Sequence, residues 1–453
     1  MKKTLYILFS IVALIYIGWS LCSLSHYGAF SGADGFNAEK MVLADSAINR
    51  AIADGEFPGA VLCVVKRADD GESMGEITYL RAYGNRSVLS ASGEADSLPM
   101  TTDAIFDLAS LSKCVGTTLS FMRLVEDGKV RLTDRVNLYI DDFKPWDSLA
   151  VQSGKKSKKA KPKVVKREHI TIKHLLTHTS GIPAYINVSK FLPRYTELGT
   201  AEESLKDSLL YYIATESDRK SRPGSRVRYS CLNFIVLQAI IERISGSRLD
   251  NFADNNVFEP LGLKNTWYNH IDSPVRPFAA DAPIVPTERQ ADGSVLFGEP
   301  HDPTARLINR GVSGNAGLFS TAEDLAVVAS MLMNGGVLRF PADGWKGKVG
   351  LTKPHRLYSE RTINTFFSVP EDFSEHSRAL GWDAAYDKGG CYGDLMTPEG
   401  VASHTGYTGT SMAIDYKEGV AVILLTNRVH PRDKGSLSRT RAVVSNIVMS
   451  ALE

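Results

Sequence analysis

The segment that decides the fold is IFDLASLSKCVGTTLSFMRLVEDGK, residues 105–129. Its apolar side chains recur every three or four residues, which predicts a helix that is buried along one side. These apolar residues are Leu111, Val115, Leu119, Met122 and Val125. Ser110 and Lys113 stand one turn apart at the start of this helix, so their side chains share a face. A hydroxyl and an amine held together near a helix N-terminus are suited to nucleophilic chemistry.

The Ser-x-x-Lys pattern is weak on its own, because it also occurs at residues 153–156 and 217–220. Only the first copy follows a strand-like segment and opens an apolar helix. Ser112 lies between the two residues, and the helical spacing turns it away from the face of Lys113. Other parts of the chain must therefore supply the context for Ser110.

Length and charge are those of a globular enzyme. The chain has 453 residues, of which 43% are hydrophobic, and its formal net charge is +1. It can bury a large core, and it has no overall attraction for nucleic acid, so we expect no nucleic-acid partner. The basic run KKSKKAKPKVVKR, residues 155–167, is expected to form a solvated surface loop.

The N-terminus predicts export. Lys2 and Lys3 precede an apolar stretch, residues 5–24, that is long enough to span a membrane. Positive residues remain on the cytoplasmic side, so the body of the chain should face the periplasm or the cell surface. An uncleaved membrane anchor within residues 1–35 is our first expectation, a cleaved signal the second, and a lipid on Cys22 the third. Residues 36–453 then form the functional domain.

Hydrophobic periodicity predicts an α/β fold of the α+β type. Helical patterns cover residues 38–53, 172–183, 233–246 and 321–336 and a C-terminal segment, and strand patterns cover residues 57–67, 76–84, 409–416 and 419–427. Strands from both ends of the chain, about 36–105 and 380–453, should pair in one antiparallel sheet flanked by helices. A mostly helical part, about 106–379, should emerge between them.

Two further polar segments lie beside predicted elements. RPGSRVRYSCLNF places Tyr229 in a turn before an apolar helix. SHTGYTGTSM places His404, Thr405 and Gly406 immediately before a strand near the C-terminus. Each is unremarkable alone, since a tyrosine is usually packed and a histidine is usually a surface or capping residue.

Taken together, SLSK, YSC and HTG resemble the serine β-lactamase and penicillin-binding protein superfamily, especially its class C-like branch. FPGAVLCVV, ITIKHLLTHTSGIP, GNAGLFSTAEDLA and LLTNRVHP are similar to segments of that family and occur in the expected order. The resemblance covers nearly the whole exported chain. It implies the sheet-and-helix fold predicted above, with the active site in the cleft between its two parts.

The resemblance implies hydrolysis in two steps without a cofactor or metal. Ser110 would attack a carbonyl to form an acyl-enzyme, which water would then hydrolyse. Lys113 would act as the base, provided that its surroundings favour the neutral amine. Tyr229 would carry the proton between nucleophile, leaving group and water.

The C-terminal strand would supply the rest of the site. The backbone N–H groups of Ser110 and Tyr407 would form the oxyanion hole, while Thr405 and Gly406 would line the substrate strand. His404 occupies a position that is more often lysine in the family. There it could polarise Tyr229 or bind a substrate carboxylate.

One position departs from the family pattern. The triplet is usually Tyr-x-Asn, sometimes Tyr-x-Asp, and here it is Tyr229-Ser230-Cys231. A thiol cannot replace the amide that binds the acylamino group of a β-lactam, because it is only a weak donor and acceptor. We therefore expect an exported serine hydrolase that cleaves an ester or an amide, with small molecules, β-lactams and peptidoglycan D-amino-acid peptides as candidate substrates. The alternative is a non-catalytic penicillin-binding sensor or scaffold that retains the fold.

A zinc enzyme is a rival interpretation. In HLLTH, His174 and His178 are one helical turn apart, which suits zinc, but the metalloprotease pattern requires a glutamate where Leu175 stands. His301-Asp302 is a second polar pair, and we interpret Asp302 as the cap of a following helix.

Overall fold

The computed structural model describes residues 36–67, 75–150, 163–196, 202–273, 278, 282–338, 355–376, 378–384, 391–433 and 435–453. The predicted anchor and its two alternatives, a cleaved signal and a lipidated Cys22, lie outside these ranges. Across the ranges that are described, no helix has both the length and the hydropathy needed to cross a membrane.

The strands extend from the N-terminal part of the chain to its last fifty residues. They are β1 (Gly59–Lys66), β2 (Glu76–Leu89), β3 (Ala95–Pro99), β4 (Phe106–Asp107), β5 (Trp146–Ala150), β6 (Lys163–Glu168), β7 (Trp267–Tyr268), β8 (Leu318–Ser320), β9 (Val337–Leu338), β10 (His355–Arg356), β11 (Val401–Thr405), β12 (Ser411–Asp415) and β13 (Val420–Thr426).

The α-helices occupy mainly the middle of the chain. They are α1 (Ala38–Ala53), α2 (Leu119–Glu126), α3 (Ile172–Leu176), α4 (Val188–Thr196), α5 (Glu202–Tyr211), α6 (Cys231–Ser245), α7 (Leu249–Ala253), α8 (Pro303–Leu307), α9 (Ala322–Met333), α10 (Glu360–Phe367) and α11 (Ser438–Ser450). Shorter 3₁₀ and π segments are Ala109–Leu111, Lys113–Thr118, Val136–Leu138, Tyr212–Glu216, Asp254–Phe258 and Glu371–His376.

The main sheet joins the two ends of the chain, as the sequence predicts. Its strand order is β11-β12-β13-β1-β2-β3, and its neighbouring strands are antiparallel. β1 pairs with β13 on one side and with β2 on the other. An almost continuous apolar sequence suits β1, because both of its faces are covered.

Helices cover both faces of this sheet. On one face, α1 packs with α11 against the even-numbered residues of β1; on the other, α9 packs against β1 and β13. Alternate residues of one strand therefore belong to two different cores. The first core includes Ala60, Leu62 and Val64, and the second includes Val61, Cys63 and Val65.

The helix after Ser110 is less regular than its pattern predicts. It begins as a 3₁₀ turn, continues as a π-helix over Lys113–Thr118, and becomes α-helical only at Leu119. At Gly116, an added Cβ would lie 2.0 Å from the Tyr268 hydroxyl oxygen, so the helix backbone approaches that ring closely. Periodicity alone cannot distinguish a π turn from an α turn over so few residues.

Two further details differ from the sequence prediction. His404 does not precede the first C-terminal strand; it lies within β11, an edge strand that the analysis did not foresee because VASHT has no clear alternation. The end of the basic run forms β6, which pairs with β5, instead of an irregular loop. Residues 155–162 of that run lie outside the described residues.

Candidate active site

A sharp backbone bend presents Ser110. The preceding Ala109 has a left-handed φ of 46°, which is costly for a residue with a side chain. The buried Asp107 supports this bend, since its Oδ1 accepts the Ala109 N–H at 2.9 Å and its Oδ2 accepts the His301 N–H at 2.7 Å. As a result Ser110 remains partly exposed while the residues on either side of it are buried.

Ser110 and Lys113 are in direct contact. Lys113 Nζ lies 2.9 Å from Ser110 Oγ, and it also donates to the Asn315 carbonyl oxygen at 2.9 Å. Ser112 faces elsewhere, because its Oγ accepts the Leu318 N–H at 3.0 Å. The amine is therefore fixed by a backbone acceptor in a position from which it reaches only one of the two neighbouring serines.

Tyr229 completes this cluster. Lys113 Nζ lies 5.0 Å from the centroid of the Tyr229 ring, and the Tyr229 hydroxyl interacts with both Ser110 and Lys113. The ring rests on His178, with centroids 4.4 Å apart. His178 Nδ1 accepts the backbone N–H of Ser230 at 3.1 Å, so this histidine supports the tyrosine loop.

The titration of Lys113 and Tyr229 is coupled. Burial disfavours the Lys113 ammonium, but electrostatic interactions with Cys231 and Tyr229 outweigh burial and raise the pKa of Lys113 above its usual value. Burial also raises the pKa of Tyr229, although Lys113 opposes this shift. Both groups therefore hold their protons at pH 7, and the pair must lose one proton before it can act as a base.

His404 is neutral. Its Nδ1 lies 2.8 Å from the Thr405 carbonyl oxygen, and since a carbonyl only accepts, Nδ1 carries the proton. Burial, with the charges of Arg378 and Lys113, lowers the pKa of His404 to about 3. Its ring centroid lies 6.0 Å from that of Tyr229, and among the described residues the buried Nε2 has no hydrogen-bond partner. An unprotonated Nε2 can accept a hydrogen bond but offers no charge to a carboxylate.

The turn 406–410, between β11 and β12, forms the opposite wall of the site. An added Cβ at Gly406 would lie 2.1 Å from Thr410 Oγ1 and 2.4 Å from the Leu108 carbonyl oxygen, so only glycine fits. The Thr410 hydroxyl donates to that same carbonyl at 3.0 Å, and the Thr408 hydroxyl donates to the Asp107 carbonyl at 2.7 Å. The turn is thereby tied to the bend that carries Ser110.

Tyr407 lies in this turn, directly after Gly406. Within the part of the chain that the structure describes, its N–H has no acceptor, whereas those of Gly406 and Gly409 are used. Its side chain points to solvent, is stacked on His301 with centroids 5.6 Å apart, and donates from its hydroxyl to Asp433. An N–H that has no acceptor among the described residues, in a turn tied to the serine bend, is suited to an oxyanion donor.

Comparisons with known proteins give the family of the chain. The family model described as Beta-lactamase matches residues 44–445. This chain belongs to the β-lactamase family. An N-acetylmuramyl-L-alanine amidase of Bacillus subtilis (strain 168) is 30% identical over 87% of this chain and 82% of its own length. A protein of Salmonella agona (strain SL483), provisionally described as a D-alanyl-D-alanine carboxypeptidase, is 29% identical over 93% of this chain and 91% of its own.

Solved structures share the fold. The simvastatin synthase LovD of Aspergillus terreus superimposes with a TM-score of 0.62 at 20% identity, over 91% of this chain and 99% of that one. EstCE1, a hydrolase with promiscuous acyltransferase activity, gives a TM-score of 0.61 at 21% identity, over 90% of this chain and 98% of that one. This member of the β-lactamase family is accordingly a serine hydrolase with a β-lactamase/transpeptidase-like fold.

Two more side chains lie beside this cluster. Cys231 is the first residue of α6, is partly exposed, and interacts electrostatically with Lys113. The Arg378 guanidinium lies 5.5 Å from the Tyr229 ring centroid and pairs with Asp383 at 2.8 Å. The cleft therefore combines a thiol with a cation other than Lys113.

The residues of the rival interpretations have other partners. His174 Nδ1 accepts the Thr171 N–H at 3.0 Å as part of a capping box, and its ring lines a cavity of about 420 Å³ away from Ser110. Asp302 caps α8 as expected, with its Oδ1 accepting the Ala305 N–H at 2.8 Å. His301 bonds Glu288 through Nε2 at 3.0 Å.

Sequence analysis missed several supporting residues. Asp107 could have been found from the sequence, because it is the one carboxylate in the apolar segment IFDLA. A buried acid requires hydrogen-bond donors, so such a position indicates a structural role. His178 was noticed only as a zinc ligand. Asn315 contributes its backbone carbonyl, which any residue type could supply. Arg378 lies near Tyr229 only because the fold brings two distant segments together, so the sequence gives no signal for either residue.

Proposed function

We propose that this chain is an exported serine hydrolase that uses Ser110 as its nucleophile and removes the C-terminal residue from a peptidoglycan-derived D-amino-acid peptide. The observation that carries the proposal is the 2.9 Å contact between Ser110 Oγ and Lys113 Nζ, with Tyr229 beside both. Nucleophile and base are within hydrogen-bond reach, and a third group orients the base.

In the acylation step, Ser110 Oγ attacks the scissile carbonyl carbon and transfers its proton to the Lys113–Tyr229 pair after that pair has lost one proton. The carbonyl oxygen becomes an oxyanion held by the N–H groups of Ser110 and Tyr407. When the carbon–nitrogen bond breaks, Tyr229 returns a proton to the leaving amine. The products of this step are the free C-terminal amino acid and an ester on Ser110.

In the deacylation step, a water molecule attacks the ester carbonyl. Its proton passes to the same pair, and Ser110 regains a proton as the carboxylic acid leaves. His404 contributes an unprotonated nitrogen near Tyr229, which suits a hydrogen-bond acceptor and not a base, because the pKa of His404 is lowered to about 3. The net reaction consumes one water molecule and needs no cofactor.

The electrostatics of the cleft support a substrate with a free carboxylate. The sequence analysis gave His404 two candidate roles, polarising Tyr229 and binding a substrate carboxylate. Because His404 is neutral, we assign the carboxylate contact to Arg378 instead. The guanidinium lies beside Tyr229, where the leaving group departs, and its partner Asp383 is buried enough that its pKa is raised. The relatives named as an amidase and a carboxypeptidase support the peptidoglycan class of substrate.

Release of D-alanine tests the proposal. The substrates are a peptide that ends in D-Ala-D-Ala, the same peptide with an amidated C-terminus, and one that ends in L-Ala. We expect release from the first, and a kcat/KM lower by roughly 10-fold or more for the amidated peptide, since a hydrogen bond to a charged group contributes about 1.5–3 kcal/mol. Arg378→Gln should remove this preference. No release from the first peptide would overturn the assignment.

Ester hydrolysis is the second candidate, and Cys231 favours it. The thiol cannot bind the acylamino group of a peptide or lactam, whereas a simple ester has no such group. Faster turnover of an aryl ester than of the D-Ala-D-Ala peptide, without a carboxylate preference, would assign the chain to this class. A stable adduct without turnover of any substrate would instead indicate a penicillin-binding sensor.

A further inference from the structure

A buried arginine lies behind the turn 406–410. Arg441, from α11, is 9% exposed, and its Nη2 donates to the carbonyl oxygens of Gly406 at 3.2 Å and Thr410 at 3.0 Å. A helix on the far side of the sheet therefore holds both ends of the turn. The side chain touches backbone, so its contribution is invisible in any sequence motif.

The contact with Gly406 has a direct electronic consequence. The Gly406 carbonyl and the Tyr407 N–H belong to the same planar peptide unit. A charged donor on the carbonyl oxygen polarises that unit and makes its N–H a stronger donor on the opposite side. Arg441 fixes the orientation of this peptide at the same time, because the carbonyl can bond it in only one direction.

Arg441 has no counterion among the residues that the structure describes. Among the described residues no carboxylate forms an ion pair with it, and its buried Nε has no hydrogen-bond partner. A buried cation without a counterion destabilises the folded chain, so its presence calls for an explanation beyond stability. The position behind the Gly406–Tyr407 peptide supplies that explanation, because an oxyanion in front of this peptide would be stabilised by the positive charge.

A second arginine that contacts the same turn provides a natural contrast. Arg428 donates to the carbonyl oxygen of Tyr407, with its Nε at 3.2 Å, and it is paired with Asp433. The Tyr407 carbonyl belongs to the next peptide unit, whose N–H is that of Thr408. Arg428 therefore supports the turn with a neutralised charge and without acting on the oxyanion donor.

We propose that Arg441 is a positioning residue of the oxyanion hole, acting through the Gly406–Tyr407 peptide to strengthen the Tyr407 N–H. This inference rests on the proposed function, because it requires an acyl-enzyme on Ser110. It adds a residue more than thirty positions away in sequence, on a helix that does not line the cleft.

The test compares Arg441→Met, Arg441→Lys and the control Arg428→Met, with an aryl ester as substrate and phenylboronic acid as the probe for the tetrahedral anion. Arg441→Met should lower kcat by roughly tenfold with little change in KM, because one oxyanion donor is weakened but not removed. Binding of the boronic acid should weaken by a similar factor. The acyl carbonyl stretching frequency of the trapped acyl-enzyme should rise, which a merely structural role would not cause.

The control separates this role from general damage to the turn. Arg428→Met should reduce thermal stability while leaving the carbonyl frequency of the acyl-enzyme where it is in the wild type. Arg441→Lys retains the charge, so its kcat and its acyl carbonyl frequency should lie between those of the wild type and Arg441→Met. If Arg441→Met does not fold, Arg441→Lys replaces it in the test.

An unchanged carbonyl frequency in the Arg441 variants, or an equal rise in Arg428→Met, would overturn the role of Arg441 and leave the proposed function intact. A wild-type protein that forms no adduct with ester or boronic acid would overturn the proposed function first, and this role with it.

Discussion

The two walls of the cleft are built on different principles. The helical wall, Ser110, Lys113 and Tyr229, consists of titratable side chains in contact with one another. The strand wall, residues 404–410, offers mainly backbone groups that buried side chains hold from behind. In the proposed mechanism the first wall moves protons, and the second binds the oxyanion that forms when Ser110 attacks. Substitutions on the helical wall should therefore affect chemistry by large factors, and those on the strand wall by smaller ones.

The largest effect is expected at the nucleophile. Ser110→Ala should lower ester turnover by more than about 10,000-fold, because loss of a covalent nucleophile removes the whole two-step route. Ser112→Ala is the matched control. Its hydroxyl accepts a backbone N–H on the far side, so its loss should reduce stability and spare activity. Comparable loss of turnover in both variants would erase the distinction between the two serines.

The second effect concerns the base. Lys113→Arg keeps the positive charge but removes a group that can become neutral, so kcat should fall by at least about 100-fold. In the wild type, kcat/KM should rise from neutral toward alkaline pH, because the pKa values of Lys113 and Tyr229 are both raised. Near-normal activity in a folded Lys113→Arg protein would place the base elsewhere.

The third effect concerns His404 on the strand wall, and it is measured as a change in the free energy of unfolding with pH. His404 has a pKa of about 3 when folded and about 6.5 when unfolded, so between these values the unfolded chain binds more protons. The contribution of His404 to the free energy of unfolding should therefore be fully present above about pH 6.5 and decrease below that pH. At pH 5 the decrease due to His404 is about 2 kcal/mol. Urea unfolding of wild type and His404→Asn at pH 8 and pH 5 should show a smaller decrease in the variant; equal decreases would mean that the ring titrates normally.

The smallest effect concerns substrate choice. Cys231→Asn restores an amide, so acylation by a β-lactam should increase relative to acylation by an aryl ester by roughly tenfold, from about 1–3 kcal/mol for one satisfied hydrogen bond. Acylation rates are to be compared, since deacylation responds separately. Cys231→Ser controls for loss of the thiol without gain of the amide. A lactam-to-ester ratio that does not change in Cys231→Asn would show that this position does not contact the acylamino group.

The same contrast explains what sequence could predict. The paired sheet, the terminal helices and the side chains of the helical wall follow from hydrophobic periodicity and from short motifs, because side-chain chemistry is written in the sequence. The strand wall was only partly foreseen. The roles of Gly406 and Tyr407 depend on backbone direction, and the edge strand β11 has no regular alternation.

The residues that support the site from behind could not be predicted from the sequence for a related physical reason. Arg441 and His178 contact backbone atoms far away in sequence, and Asn315 offers its own backbone carbonyl to Lys113. Any residue type can supply those backbone atoms. The π-helical segment after Ser110 was likewise hidden, and Gly116 within it packs against the distant Tyr268 ring. Tertiary contacts decided these features, whereas local pattern decided the elements.

The central claim is that one hydroxyl, that of Ser110, carries the acyl group. Its most direct test is peptide mapping by mass spectrometry after the wild-type protein has reacted with an acyl donor that is released slowly. We predict one added acyl group, on the peptide that contains Ser110, and no addition in Ser110→Ala. An acyl group found on another residue, such as a hydroxylamine-sensitive thioester on Cys231, would contradict the account.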